Sequence, residues 1–156
     1  MMKQRIRVAA ILVKEGKVLL VKHVHPMTKY QWWVPPGGGL EATDASIYEC
    51  VIREAWEETG YQIKVEDILY IREFKDDERD ILNLELFMRG HVVDGYLTVE
   101  NIYGKGEDDK YIKEAQWLSQ KELMALNVFP EIIKENIFWE EIKKDSVKMR
   151  YLGRSN

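Results

Sequence analysis

The sequence carries a single cysteine, Cys50, which excludes an intramolecular disulfide and a cysteine-cluster zinc site. It also lacks an apolar run long enough to cross a bilayer. The first such run, Val8 to Val13, is broken by Lys14 and Glu15 and falls short even of a signal peptide's apolar region. The chain is therefore expected to be cytoplasmic, with no membrane partner. Positive charge is not in excess either. A formal net charge of −4 and the lack of a basic stripe argue against a nucleic-acid partner. No Pro/Ser-rich linker, internal repeat or low-complexity tract divides the 156 residues, so a single domain over 1–156 is expected. At 46% hydrophobic residues the chain has enough apolar material for one core without a disulfide or structural metal.

What is present reads as three strands, a helix, further strands and then helices. Arg5 to Val13 and Lys17 to His23 are β-rich runs around a hairpin signal at Lys14-Glu15-Gly16. Gln31 to Val34 reads as a third strand, stopped by Pro35-Pro36 and a loop of three glycines. Helical spacing begins near Ile47 and ends at Thr59-Gly60, with Ser46 and Glu49 in the form of a capping box. Tyr61 to Phe74 and Ile81 to Val93 read as strands joined by the polar turn Lys75 to Asp80. After a long polar stretch, Tyr111 to Leu118 reads as a late strand. Ser119 caps a short helix over Lys121 to Leu126, and Phe129 to Lys144 has helical spacing. The expected class is α/β, a mixed sheet flanked by helices.

The informative feature is the helix after the glycines. With Ile47 at 0° and 100° per residue, Val51, Ala55 and Cys50 fall at about 40°, 80° and −60°. Glu54, Glu57 and Glu58 fall at about −20°, −80° and 20°, on the same inward stripe. Solvated surface acids belong on the opposite face. Three carboxylates at these spacings repel one another, and a bound divalent cation would resolve the conflict. Oxygen ligands without His or Cys favour Mg²⁺ or Mn²⁺ over zinc. Arg53, one turn before Glu57, is positioned to orient it through a bidentate pair. The glycines let backbone approach a ligand closely and offer carbonyls as further ligands. Against this stands the plainer alternative of a salt-bridged, exposed Arg-Glu-x-x-Glu-Glu helix.

The segment resembles the signature of the Nudix hydrolases: Gly, five residues, Glu, seven residues, Arg-Glu-aliphatic-x-Glu-Glu-x-Gly-aliphatic. Here it runs from Gly38 through Asp44 to Arg53-Glu54-Ala55-Trp56-Glu57-Glu58-Thr59-Gly60-Tyr61, a box over about residues 38–61. Asp44 replaces the first Glu, the spacer is one residue longer, and Tyr61 replaces an aliphatic residue. The extra residue is placed in the loop Asp44-Ala45-Ser46, because an insertion inside the helix would rotate its ends apart by about 100°. Asp44, nearest that disturbance, is the box residue expected to lose its usual role. Trp33 to Gly38 and Glu114 to Ser119 also look like family strands, so the resemblance spans most of residues 5 to 135.

The resemblance implies a Nudix-type α/β/α sandwich and divalent-metal-dependent hydrolysis of a nucleoside diphosphate derivative by water attack at phosphorus. Carried onto this chain, Glu54, Glu57 and Glu58 hold Mg²⁺ or Mn²⁺ together with the Gly37 carbonyl. Arg53 orients the acids, and Glu41 ties the loop to the helix. Glu54 is the preferred general base, with late-loop acids Glu107, Asp108, Asp109 and Glu114 as alternatives. Substrate contacts are expected from Gly38, Gly39, Lys22 and Trp33. Lys22, with His23, His25 and Lys29, forms a basic cluster that meets phosphates or is simply solvated. His23 and His25 share a strand face but lack a third ligand for a metal. Trp32 and Trp33 point to opposite faces, so one packs inside and the other is free to stack on a base. Phe138, Trp139 and Ile142 are assigned to the core or to a homodimer contact. A non-catalytic nucleotide-binding module of the same fold is the alternative function. Such a module would be expected to have lost the paired acids, which this chain keeps.

Overall fold

The central strand β1 (Lys3–Lys14) alternates its side chains between two apolar layers, and that alternation organises the domain. Val8, Ala10 and Leu12 enter one core together with Leu19 and Val21, while Ile11 joins Val18 and Leu20 in the other. The computed structural model describes residues 1–105 and 109–156. Its other strands are β2 (Lys17–Val24), β3 (Gln31–Val34), β4 (Gly37–Gly39), β5 (Tyr61–Asp76), β6 (Ile81–Gly95), β7 (Ile112–Ser119) and β8 (Arg150–Ser155). They form one mixed sheet in the order β3-β2-β1-β6-β5-β8, with β4 paired to β1 and β7 paired to β2. β1 runs parallel to β6 from Lys3 opposite Ile81 to Leu12 opposite Gly90. β5 and β8 are the second parallel pair.

Helices cover both faces. On one side, α1 (Ile47–Thr59) buries Cys50, Val51 and Ala55 against Val8, Ala10 and Val21. On the other, Leu123 of α2 (Gln120–Leu123) and Phe138 of α3 (Asn136–Lys143) close the layer containing Trp33, Tyr70 and Phe87. Phe138 is fully buried, and Trp139 packs beside it with its indole N–H on the Ile133 carbonyl at 2.8 Å. Phe138 is thus a core residue, and the half-buried Trp139 and Ile142 pack against that core. Among the described residues, no helix is long and apolar enough to cross a membrane.

Four elements differ from the sequence reading. The glycine loop is strand β4, with Gly37, Gly38 and Gly39 opposite Ala9, Val8 and Arg7. The single helix read over Phe129 to Lys144 is a 3-10 turn at Glu131–Lys134 followed by α3, because Glu135 between them is extended. The polar turn shortens, since Lys75 and Asp76 continue β5 by pairing with Leu82 and Ile81. Strand β8 has no counterpart in the sequence reading.

Candidate active site

α1 begins where Ser46, extended, accepts the Glu49 N–H at 3.2 Å, and the Glu49 carboxylate in turn accepts the Ala45 N–H at 3.2 Å. The helix then runs unbroken to Gly60, whose left-handed conformation (φ 77°) returns its N–H to the Trp56 carbonyl. The extra spacer residue therefore lies before the first turn and leaves the phase of the acids intact. Glu54, Glu57 and Glu58 are buried, at 4%, 8% and 1% exposure, on the face that also buries Cys50, Val51 and Ala55. This is not the geometry of an exposed, salt-bridged helix.

One guanidinium organises the acids. Arg53 forms a two-point pair with Asp44, Nε to Oδ1 at 3.0 Å and Nη2 to Oδ2 at 2.9 Å. Its Nη1 donates to Glu54 Oε1 at 3.0 Å and to Glu57 Oε2 at 3.5 Å, and lies 3.8 Å from Glu41 Oε1. The bidentate partner is therefore Asp44 and not Glu57. Asp44 is not displaced by the longer spacer: it is Arg53's closest partner and also accepts the Glu41 N–H at 2.8 Å. Those contacts, the Arg53 hydrogen bonds foremost, hold its carboxyl down at about 2. Glu57 moves the other way, raised by desolvation against the opposing pull of Arg53. Burial, and then the Asp44 charge, push the Cys50 thiol up to about 12, so it is an inert core residue.

Glycines let these groups approach the backbone. A Cβ on Gly38 would lie 2.5 Å from the Glu54 carboxylate, and one on Gly39 would lie 2.5 Å from Arg5 Nε. Glu58 Oε2 accepts the Gly37 N–H at 2.7 Å, which fastens β4 to α1. Beside these contacts opens a cavity of about 390 Å³ lined by Arg5, Gly39, Leu40, Glu41, Arg53, Glu54, Glu57 and Lys105. This is the size range of small-ligand sites. Glu58 and Gly37 are outside its lining and are joined to each other by that hydrogen bond.

Other expected site residues lie elsewhere. Trp33 is 5% exposed and packs in the layer away from α1. Lys22, its cross-strand neighbour, sits 5.9 Å from the Trp33 ring and 3.8 Å from Glu114. Neither Lys22 nor Trp33 is brought to the acid cavity, because both project from the opposite side of the strands. Trp32, on the other face, stacks with His23 at 5.3 Å and Tyr30 at 5.8 Å. Lys29 bonds the Pro26 carbonyl, so the basic cluster is not assembled at the cavity. Asp109 accepts the Gly104 N–H at 3.4 Å, while Glu107 and Asp108 lie outside the described residues. Arg5 and Lys105 are cavity residues that the sequence reading missed. Neither belongs to a motif, and only the fold brings them to the acids.

Among the described residues, no three His, Cys, Asp or Glu side chains are gathered into a ready metal cage. The donor set nonetheless suits Mg²⁺ or Mn²⁺. Such ions are held by one or two carboxylates plus substrate phosphates, and Glu54 and Glu57 both line the cavity.

A family model described as a NUDIX domain matches residues 2–139. Phosphatase NudJ of Escherichia coli strain K12 is 27% identical over 138 residues, covering 88% of this chain and 83% of that protein. Among solved structures, a NUDIX hydrolase from Nitrosomonas europaea aligns with a TM-score of 0.68 at 24% identity, over 94% of this chain and 93% of that one. A MutT protein from Methanosarcina mazei Go1 aligns at 0.64 and 25% identity, over 94% of this chain and 98% of that one.

Proposed function

The chain belongs to the NUDIX domain family and is a Nudix hydrolase, and from that premise we propose that it cleaves the phosphoanhydride of a nucleoside di- or triphosphate derivative, with Mg²⁺ or Mn²⁺ as cofactor. The observation that carries this reading is the placement of Glu54 and Glu57. Both are buried, both line one cavity, and one guanidinium holds both.

The cavity wall carries the carboxylates of Glu41, Glu54 and Glu57 and no thiol or imidazole, a donor set for a hard cation. Glu54 and Glu57 would hold that ion, whose chemistry when bound is charge neutralisation at phosphate and a more acidic water. Arg53 keeps the carboxylates in place, and Asp44 keeps Arg53 in place. Glu54, pressed against Gly38, accepts the proton of the attacking water. Of the alternative bases, Glu114 pairs with Lys22 and Asp109 with the Gly104 N–H, and neither lines the cavity, whereas Glu54 does, which supports Glu54 as the base. Glu58 fixes β4, and with it the glycine approach to Glu54.

The test is a panel of nucleoside triphosphates, nucleotide sugars, ADP-ribose and dinucleoside polyphosphates, assayed with Mg²⁺ and again with excess EDTA. Metal-dependent release of a nucleotide product from at least one group is expected. No turnover on any of them would return the chain to the non-catalytic binding-module reading.

A further inference from the structure

His23 and His25, at the end of β2, use the same ring nitrogen in opposite ways. His23 Nδ1 lies 3.4 Å from the Val21 carbonyl, which can only accept, so in that contact the nitrogen carries a proton. His25 Nδ1 lies 3.2 Å from the backbone nitrogens of both Met27 and Thr28. Those are N–H donors, so His25 Nδ1 is bare and accepts from the pair. We propose that His25 is a proton-operated latch on the turn between β2 and β3. Neutral, it holds the turn closed; protonated at Nδ1, it releases the turn and uncovers Trp32.

The turn is built around this residue. The His25 N–H donates to the Tyr30 carbonyl at 2.8 Å, and the Lys29 N–H donates to the His25 carbonyl at 2.9 Å. Lys29 is held at φ 64°, in the left-handed region that a side chain disfavours. Within this turn the imidazole satisfies two N–H groups, as an Asn or Asp side chain does in an Asx turn. A proton on Nδ1 would set a third donor against those two. The ring must then turn away, and both hydrogen bonds are lost.

The titratable neighbours do not oppose that change. From the segment before β7, Tyr111 meets the His25 ring edge-on at 5.9 Å. The turn itself contributes Tyr30 and Lys29, whose ammonium donates to the Pro26 carbonyl at 2.8 Å, and β2 contributes His23. Among the described residues no carboxylate pairs with His25, so none would hold an imidazolium in the closed position.

What the latch controls is the cover on Trp32. Tyr30, 49% exposed, stacks on the Trp32 indole at 5.8 Å. His23 stacks on the same indole at 5.3 Å, and Tyr111 meets its edge at 6.3 Å. Of these three rings only Tyr30 belongs to the turn, so release of the turn takes that ring away and leaves the other two.

The test is NMR on the full chain from pH 8 to pH 5, a range that brackets the ordinary imidazole titration at about 6.5. At pH 8 the His25 Nδ1 should show the nitrogen shift of an unprotonated acceptor. On acidification the Met27 and Thr28 amide protons should lose their hydrogen-bonded shifts with the same midpoint as the His25 ring. The Tyr30–Trp32 ring NOEs should disappear with them. His25→Asn keeps an acceptor that takes up no proton, so its turn should stay closed throughout. His25→Phe keeps a ring against Tyr111 without an acceptor, so its turn should be open at both ends of the range. Thermal unfolding checks each variant, and if His25→Phe melts early, wild type against His25→Asn carries the comparison. Three results would overturn the latch: a His25 ring that titrates while both amides stay unchanged, a ring that stays neutral down to pH 5, or the same amide changes in His25→Asn.

Discussion

Asp44 and Arg53, nine residues apart across the entrance to α1, are joined by two hydrogen bonds of 3.0 and 2.9 Å. The pair closes the loop between β4 and α1 and sets the guanidinium that reaches Glu54 and Glu57. An aspartate where the family signature has a glutamate, followed by a spacer one residue longer, therefore still delivers a carboxylate to the arginine.

Replacing Asp44 with Asn removes the charge that holds Arg53. Stability is expected to fall by about 1–3 kcal/mol, read from urea denaturation at pH 7. The sign with pH follows from the lowered carboxyl pKa. The wild-type contribution is whole above the ordinary value of 3.8 and is lost as pH falls through about 2. The gap between wild type and Asp44→Asn should hold from pH 7 to 5 and close below pH 3. A gap that widens on acidification would contradict the pair's role.

Gly37→Ala and Gly38→Ala separate fold from chemistry. On Gly37 a new Cβ would stand 2.6 Å from the Ala9 Cα, against backbone that cannot yield, so loss of folding is expected. On Gly38 the three nearest atoms all belong to the end of the Glu54 side chain, which yields more readily than backbone does. That variant should keep its melting temperature within a few degrees and lose about 10² or more in kcat. Equal effects of the two in thermal unfolding and initial-rate assays would count against the Glu54 assignment.

For Glu57→Gln, turnover is expected to drop by about 10² or more, because a charge that neutralises metal is lost at constant volume. Metal-free thermal stability should hold or rise, since burial already disfavours the ionised Glu57. A wild-type rate in this variant would remove Glu57 from the site.

Trp33→Ala tests the face assignment. With the indole in the core, truncation should cost about 3–5 kcal/mol in denaturant unfolding. KM of the folded fraction should stay unchanged. A raised KM with intact stability would bring Trp33 back as a substrate contact.

Much of this was legible in the sequence because α1 writes its burial into a 3.6-residue period, and the acids interrupt an apolar stripe that has no other reason to hold them. Strand β4 was not legible, since three glycines carry no side-chain pattern and are a strand only through β1. Strand β8 pairs with β5 some 80 residues away in sequence, as the contact of Tyr151 with Ile71 shows, and buries little of its own. Alternation predicts that Trp32 and Trp33 face opposite ways, but which face meets α1 is decided by long-range packing. Arg5 and Lys105 reach the cavity only through the fold, so no local spacing announces them.

The central claim is water attack at phosphorus in the Glu54–Glu57 cavity. It is tested most directly by running wild-type turnover in ¹⁸O-labelled water with Mg²⁺ and reading the products by ³¹P NMR. A single isotope-shifted phosphate resonance is expected, formed by wild type and suppressed about 10² or more in Glu54→Gln. Cleavage without label on any phosphorus, or labelling at an undiminished rate in Glu54→Gln, would contradict it.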